Sequence, residues 1–436
     1  MKKNILFVTT VFNLFLVQLA NAQVKANSEL KGLISQSFSY FPKVKEVENT
    51  VVTAEQKLTL TQLNKMPDVT ADASYAYVKP LIEIPFPLGP NGALENFQFA
   101  PVHNVSGALN GKYALFDFGR LKTNVERSKD DLQFAKHNVD YVKSQLAYQV
   151  ANIYYNIVYL QKAISIQDSV ISFLNDTQKD IENKLKNGDA LKIDLLNIKS
   201  NIDAEQNRKV DLENALQKQL NLLEYTTGVK KSIGAFFDFD VNLLDADGAL
   251  GAAQTNNIDF VLAKDKVKQS QSDVAIAKLG DKPIVGLMAG AGIKNGYVPA
   301  VNDLKFNYLA GINFSVPIYT GGKTKQQVKL AENAVKQNEL AIETLSSNYR
   351  KDIQQALADI RSNLERIKNT EGQIEQALAA QNLARIRYKN DVGTNLEVTN
   401  ASTNVQRALL TRLQYEYQLC LAKVELVRLM GYQYWQ

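Results

Sequence analysis

The stretch "VPIYTGGKTKQQ", residues 316–327, sets a strand-like run, a glycine pair and Lys323-Thr324 ahead of a polar helical stretch. A phosphate-binding loop presents its parts in this order. Such a loop requires a glycine five residues before Gly322, because backbone N–H groups wrap a phosphate only where no Cβ intrudes. That place holds Pro317, which has no N–H and fixes its own φ, so the stretch is not read as a nucleotide site. The segment "GLMAGAGIKNG", residues 286–296, is spaced G-x-G-x-x-x-G and follows Pro283 rather than a buried strand, a poor match to a dinucleotide loop. His103 and His137 fall on a strand-like and a helix-like stretch with no acid or nucleophile constellation to use them. Cys420 is the single cysteine, so there is no pair for a disulfide. No catalytic residue, cofactor site or metal site is assigned, and the chain does not read as an enzyme.

Those residues must then serve the elements that hold them. The opening "MKKNILFVTTVFNLFLVQLANAQ" has Lys2 and Lys3, an apolar run from Ile5 to Leu19 and the small-residue site Ala20-Asn21-Ala22, the parts of a secretory signal peptide over residues 1–22. A membrane anchor fits less well, because the apolar run is short and ends in a cleavage pattern. With Lys2 and Lys3 removed, 48 basic residues face 45 acidic ones, a balance that gives no support to a nucleic-acid partner. No other segment is long and apolar enough for a membrane helix. Any membrane contact must come from β-strands or from a surface.

The chain repeats itself at an offset of 203 residues, which lays "FDFGRLKTNV" from Phe116 on "YTGGKTKQQV" from Tyr319. The first copy lacks the Gly-Lys-Thr triplet, a second argument against a phosphate loop. One stripe reads Val125, Leu132, Val139, Leu146, then Val150, Ile157, Ile164, Ile171, Gln178, Leu185. Its counterpart reads Val328, Val335, Ile342, Tyr349, then Ile353, Ile360, Ile367, Ile374, Gln381, Tyr388. Both keep a seven-residue step broken once by a step of four, a stutter that locally unwinds a left-handed supercoil. Each stripe stops near "LKNGDALKID" or "YKNDVGTNLEV", where Gly188 or Gly393 appears. New stripes begin there, Leu195, Ile202, Leu216, Leu223 and Val398, Val405, Leu419, Leu426, with Lys209 and Arg412 in one basic slot of each. A glycine followed by a polar start joins antiparallel helices, so each copy is a helical hairpin. The outward leg from Arg120 spans roughly 100 Å and the return leg only about 58 Å. Shorter helical stretches around Val44–Leu58 and Phe260–Ala277 cover the remaining flank.

Between each short helix and each long one the period changes to two. Val69, Ala71, Ala73, Tyr75 and Tyr77 alternate with Thr70, Asp72 and Ser74, and Val105 to Leu115 alternate likewise. Val285 to Ile293 and Phe306 to Val316 form a second pair. These are two β-hairpins, each strand long enough to cross a bilayer when tilted. A soluble four-stranded sheet with one wet face would alternate the same way. Apolar on one side and small or polar on the other is also the pattern of a transmembrane barrel, but four strands cannot close, and an open edge in lipid leaves backbone groups unsatisfied. Several chains must then share one barrel. The connection from Pro80 to Pro101 holds five of the ten prolines and reads as a loop. Gly119, Pro317, Gly321 and Gly322 mark the strand-to-helix junctions, where glycine permits the change of direction.

With its duplicated halves, the "FDFGR" and "PIYTGGK" junctions and the "VGTNLEVTNA" turn from Val392, the chain resembles the TolC-like outer membrane efflux protein family. Ala114, where the second copy has Pro317, is a small departure. The resemblance implies a mixed α and β membrane protein: a homotrimer in which four strands per chain form a shared twelve-strand barrel in the Gram-negative outer membrane, continued by a long α-helical tunnel across the periplasm. It implies an organisation into N-terminal helices (23–66), first β-hairpin (67–117), first helical hairpin (118–228), equatorial linker (229–256), short helix (257–282), second β-hairpin (283–318), second helical hairpin (319–431) and a tail (432–436). It further implies a passive exit duct whose tips, near residues 186–194 and 389–397, dock a periplasmic adaptor and through it an inner-membrane transporter. The docking residues are then Lys186, Asn187, Gly188, Lys389, Asn390 and Gly393. Family members are held shut by polar links between the tips, which map to Asp194 and Tyr388. Tyr388 equally fills the heptad slot that Leu185 fills in the first copy. Acid rings near the tip map to Glu397 and Asn400, the second an amide. A secreted or surface-attached structural coiled-coil protein is the rival reading.

Overall fold

The computed structural model describes residues 24–81, 83–87, 94–231, 233–234 and 236–436. The signal peptide expected over residues 1–22 lies outside them. In chain order the elements are β1 (Val24–Lys25), α1 (Ser28–Tyr40), α2 (Pro42–Leu63), β2 (Asp68–Tyr77), β3 (Glu83–Pro87), β4 (Leu94–Gln98), β5 (His103–Phe116), α3 (Arg120–Asn187) and α4 (Lys192–Thr227). There follow β6 (Asp240–Val241), α5 (Ala246–Asn256), α6 (Ile258–Lys278), β7 (Ile284–Lys294), β8 (Lys305–Ser315), α7 (Lys323–Lys389) and α8 (Asn395–Met430). The duplication is kept to the residue: α3 and α7, and α4 and α8, start 203 residues apart, and α4 and α8 end 203 apart. The return leg of the first copy begins at Lys192, four residues past Gly188, with Leu191 in the N-cap position.

The chain divides into two units. One holds Val51–Ala135 and Asp265–Glu339; the other holds Lys136–Lys264 and Leu340–Gln436 with the residues up to Thr50. In the first, β2, β5, β7 and β8 form an antiparallel sheet in the order β2-β5-β7-β8. Its register puts Val69, Gly111, Ala289 and Ala310 in one row and Tyr75 beside Val105 in another, so the apolar sets of all four strands share one face. That face is bare: Tyr308 is 81% exposed, and Val69, Leu109, Phe306, Ile312 and Phe314 are exposed with it. The opposite face is mainly polar or small, with Met288 and Leu309 among its larger apolar residues. Ser74 and Ser106 are hydrogen-bonded across strands at 2.8 Å, and Asn110 donates to Asp72 at 2.7 Å. Gly292 permits the packing of neighbouring strands here, since a Cβ would fall 2.2 Å from the Gly107 carbonyl.

The connection from Pro80 to Pro101 is not simply a loop: Glu83–Pro87 pairs with Leu94–Gln98. Pro85 and Pro87 are two apart and share one parity of this two-stranded pair, in which each strand has a free edge that tolerates proline.

The second unit is held by an apolar core that includes Leu30, Ile34, Tyr154, Tyr155, Ile157, Phe260, Ile353, Ile360, Val427 and Met430. The linker of residues 229–256 joins it through β6, which pairs with β1, and through α5, N-capped by Asp245. Asn257 donates to the carbonyls of Arg428 and Leu429, each at 2.9 Å, satisfying the C-terminal end of α8. A smaller apolar cluster lies at the helical turns, with Val170, Leu174, Ile181, Ile198, Ile202, Ala384, Tyr388, Val398 and Ala401.

Candidate functional site

The two turns joining α3 to α4 and α7 to α8 are built alike. Gly188 has φ 86° and Asp391, its partner at the 203-residue offset, φ 63°. The left-handed residue of the second turn is therefore Asp391, not Gly393, as Asp tolerates this backbone better than most residues. Gly393 is needed for space instead. A Cβ there would lie 3.0 Å from Arg387 Cβ and from the Tyr388 nitrogen, so its lack of a side chain lets the turn close on α7. Lys186, Asn187, Lys389 and Asn390 are exposed around the two turns.

Ionic contacts tie the tips together. The Lys184 ammonium donates to the Lys389 carbonyl at 3.3 Å and pairs with Asp391. Asp180 receives Lys389 at 3.5 Å and Arg385 at 3.6 Å, and Asn395 donates to the Asp194 carbonyl at 3.3 Å. Within one chain the side chains of Asp194 and Tyr388 are not hydrogen-bonded to each other. The Asp194 carboxylate turns back to accept from the Leu191 N–H at 3.3 Å, capping its own helix. The Tyr388 ring is buried in the tip cluster with the Lys184 ammonium 5.3 Å from its centroid, and its hydroxyl has no hydrogen-bond partner among the described residues. Burial, then the negative charges of Asp194, Asp180 and Asp391, push this phenol up to about 12. Tyr388 is heptad core in the single chain. Glu397 pairs with Arg387 at 3.6 Å, and its N–H donates to the Thr394 hydroxyl at 3.2 Å. Asn400 is exposed. Among the described residues no group of three or more metal-ligating side chains converges.

At the strand-to-helix junctions, Gly119 and Gly322 have φ 88° and 77°, and each is preceded by another left-handed residue, Phe118 at 55° and Gly321 at 62°. The first copy thus makes with a phenylalanine the turn that the second makes with glycine. The Phe118 ring packs edge-on against Phe116, centroids 4.6 Å apart, and Asp117 accepts from the N–H groups of Gly119 and Leu121 at 2.9 and 2.6 Å. Pro317 is exposed ahead of the second junction. Thr324, the residue that would face a metal in a phosphate loop, is buried, with its methyl only 3.0 Å from where a Cβ on Gly280 would sit.

Between the large core and the tip cluster lies a polar layer that no motif announces. Gln167 on α3 donates to the Glu205 carboxylate on α4 at 2.8 Å. Gln406 on α8 donates to the same carboxylate at 2.8 Å and to the Gln167 side-chain oxygen at 3.0 Å. All three are buried, and Arg208 pairs with Glu205 from the rim. The basic slots seen in the return stripes form matched ion pairs with the long helices, Lys209 to Asp168 at 2.7 Å and Arg412 to Glu371 at 3.7 Å. Asp391, Phe118 and these acids were all discoverable by carrying the repeat offset through the polar positions. The Gln-Glu-Gln layer has no such signal, because its members sit on three helices at unrelated repeat positions.

Compared with known proteins, residues 33–229 and 249–432 match the family model described as outer membrane efflux protein. No curated protein sequence matches. Among solved structures, CusC, described for its folding and transmembrane channel formation, is 18% identical with a TM-score of 0.75, over 93% of this chain and 92% of that one. The outer membrane protein VceC of Vibrio cholerae is also 18% identical at a TM-score of 0.75, over 93% and 97% of the two chains. The open state of the MtrE outer membrane channel of Neisseria gonorrhoeae is 16% identical at 0.74, over 94% and 89%. At these identities the likeness carries the fold. No helix among the described residues is long and apolar enough to cross a membrane.

Proposed function

The chain belongs to the outer membrane efflux protein family, and on that premise we propose how it carries cargo out of the cell. It is an outer membrane exit duct, with the fold of a trimeric channel in which four strands from each of three chains close one twelve-strand barrel. The observation that carries the reading is the β2-β5-β7-β8 sheet, with one face apolar and exposed and its outer strands β2 and β8 unpaired on one side. In lipid such edges cost several kcal/mol for each unsatisfied backbone group unless another copy pairs with them.

In our reading the helices stand in the periplasm. The tips carrying Lys186, Asn187, Gly188, Lys389, Asn390 and Gly393 dock a periplasmic adaptor, and an inner-membrane transporter behind that adaptor supplies the energy. The chain itself conducts passively, either small molecules or a secreted protein. Asn187→Cys and Asn390→Cys are expected to cross-link to the adaptor in cells. Gly188→Pro is expected to abolish export while a detergent-stable trimer still forms in the outer membrane fraction. A monodisperse monomer with its strands intact would sink the architecture, and full export by Gly188→Pro would sink the role of the tips.

A further inference from the structure

The polar face of the sheet carries its charges in rows. One row, set by the strand register, reads Ser74, Ser106, Lys294, Lys305 across the four strands. It lies at the hairpin-loop end, away from the junctions with α3 and α7. Lys294 and Lys305 are direct partners across the β7–β8 pair, and like charges placed opposite one another destabilise a sheet. Among the described side chains neither ammonium pairs with a carboxylate; Lys294 instead lies 5.1 Å from the Tyr297 ring centroid. The next row inward, Asp72, Ala108, Gly292, Asn307, has one acid, and Thr70 and Asn110 already donate to it at 3.0 and 2.7 Å. Further in, Asp68 faces Lys112 directly, so that row is balanced. In the connections, Lys79 adds one positive charge, and Asp303 with Glu83 and Glu95 of the separate β3–β4 pair add three negative ones, none of them on the four-stranded sheet.

We infer that Lys294 and Lys305 form an anion-favouring ring at the outer mouth of the pore, selecting anionic solutes over cationic ones at the exit. The inference rests on the trimeric channel reading, since threefold symmetry is what turns one unfavourable pair into six ammonium groups around a common lumen. No packing role explains the pair: its side chains point away from the apolar face, and its mutual repulsion works against the hairpin. Cationic rings in narrow pores favour anions by concentrating field lines between low-dielectric walls. The cargo this mouth suits carries carboxylate, phosphate or sulfonate groups.

The test uses a reporter further inside. Leu309 is on the same polar face, four residues beyond Lys305 on β8, and exposed. The only native thiol, Cys420, is buried and its pKa raised by that burial, so Leu309→Cys reports alone. Anionic and cationic methanethiosulfonates are added outside intact cells at low ionic strength, where the screening length is about 30 Å at 0.01 M salt. The ratio of anionic to cationic labelling rates is expected to fall on the order of tenfold in Lys294→Gln/Lys305→Gln. It should rise in Asp72→Asn and collapse toward the double variant's value at 1 M salt, where screening shortens to about 3 Å. In planar bilayers the reversal potential under a KCl gradient should move toward cation selectivity in the double variant. Normal labelling with a ratio indifferent to the two lysines overturns the ring alone. Failure of both reagents to reach Leu309→Cys in a correctly inserted trimer would overturn the open-pore reading and the ring with it.

Discussion

Gly431 ends α8 in a left-handed backbone, and a Cβ there would fall 2.5 Å from both the Cα and the nitrogen of Asn257. That backbone cannot retreat, because Asn257 also holds the last carbonyls of the helix. Gly188 has a similar φ but nothing within 4 Å of its would-be Cβ. The two glycines therefore separate conformational cost from steric cost. Gly188→Ala should lose about 1 kcal/mol, the left-handed penalty alone. Gly431→Ala should lose that and a further 1–3 kcal/mol or so of overpacking. The melting temperature of the purified trimer measures both, and equal shifts would refute the distinction. At this scale the sequence misleads where it offers a conspicuous residue type. Gly393 stands out as a turn glycine while Asp391 carries the left-handed backbone, and Phe118 conceals a junction identical to that at Gly321.

Among the elements, the buried layer of Gln167, Glu205 and Gln406 joins three helices through one carboxylate. Removing that carboxylate takes one acceptor from each of two buried amides, leaving Gln167 only the Glu205 backbone carbonyl and Gln406 only the Gln167 side-chain oxygen, and leaves Arg208 without its partner. Glu205→Ala is expected to cost roughly 1–2 kcal/mol. Replacing all three residues by leucine should be neutral or stabilising, as when a buried polar cluster is exchanged whole for apolar side chains. Chemical denaturation of the two variants checks the pair, and a triple variant weaker than Glu205→Ala would contradict the argument. The helices themselves were legible, because a heptad stripe with the same stutter at the same place in both copies has few alternative explanations. The β3–β4 hairpin was not, since five prolines in one stretch read as a loop unless their spacing is set against strand parity. Nor was the Asp194–Tyr388 pair: sequence places an acid and a phenol near one turn, but only packing shows that the acid caps its helix and the ring fills the core.

For the whole molecule, the two faces of the sheet set the environment of every strand residue. Ile312→Arg on the apolar face should cost about 2–4 kcal/mol of membrane assembly, the range for a cation near the bilayer midplane. The adjacent Asn313→Arg, on the polar face, should assemble normally and alter only conductance. Recovery of each variant in the outer membrane fraction gives the answer, and equal recovery would mean that the bare face does not meet lipid. The same polar layer that joins three helices also interrupts the apolar interior, leaving the cluster around Ile181, Ile198 and Val398 separate from the larger core around Tyr154 and Met430. In the language of foldons, the tips are a cooperative unit of their own. They can open sub-globally at a cost set by one small cluster and a few surface ion pairs, while the large core keeps its full protection.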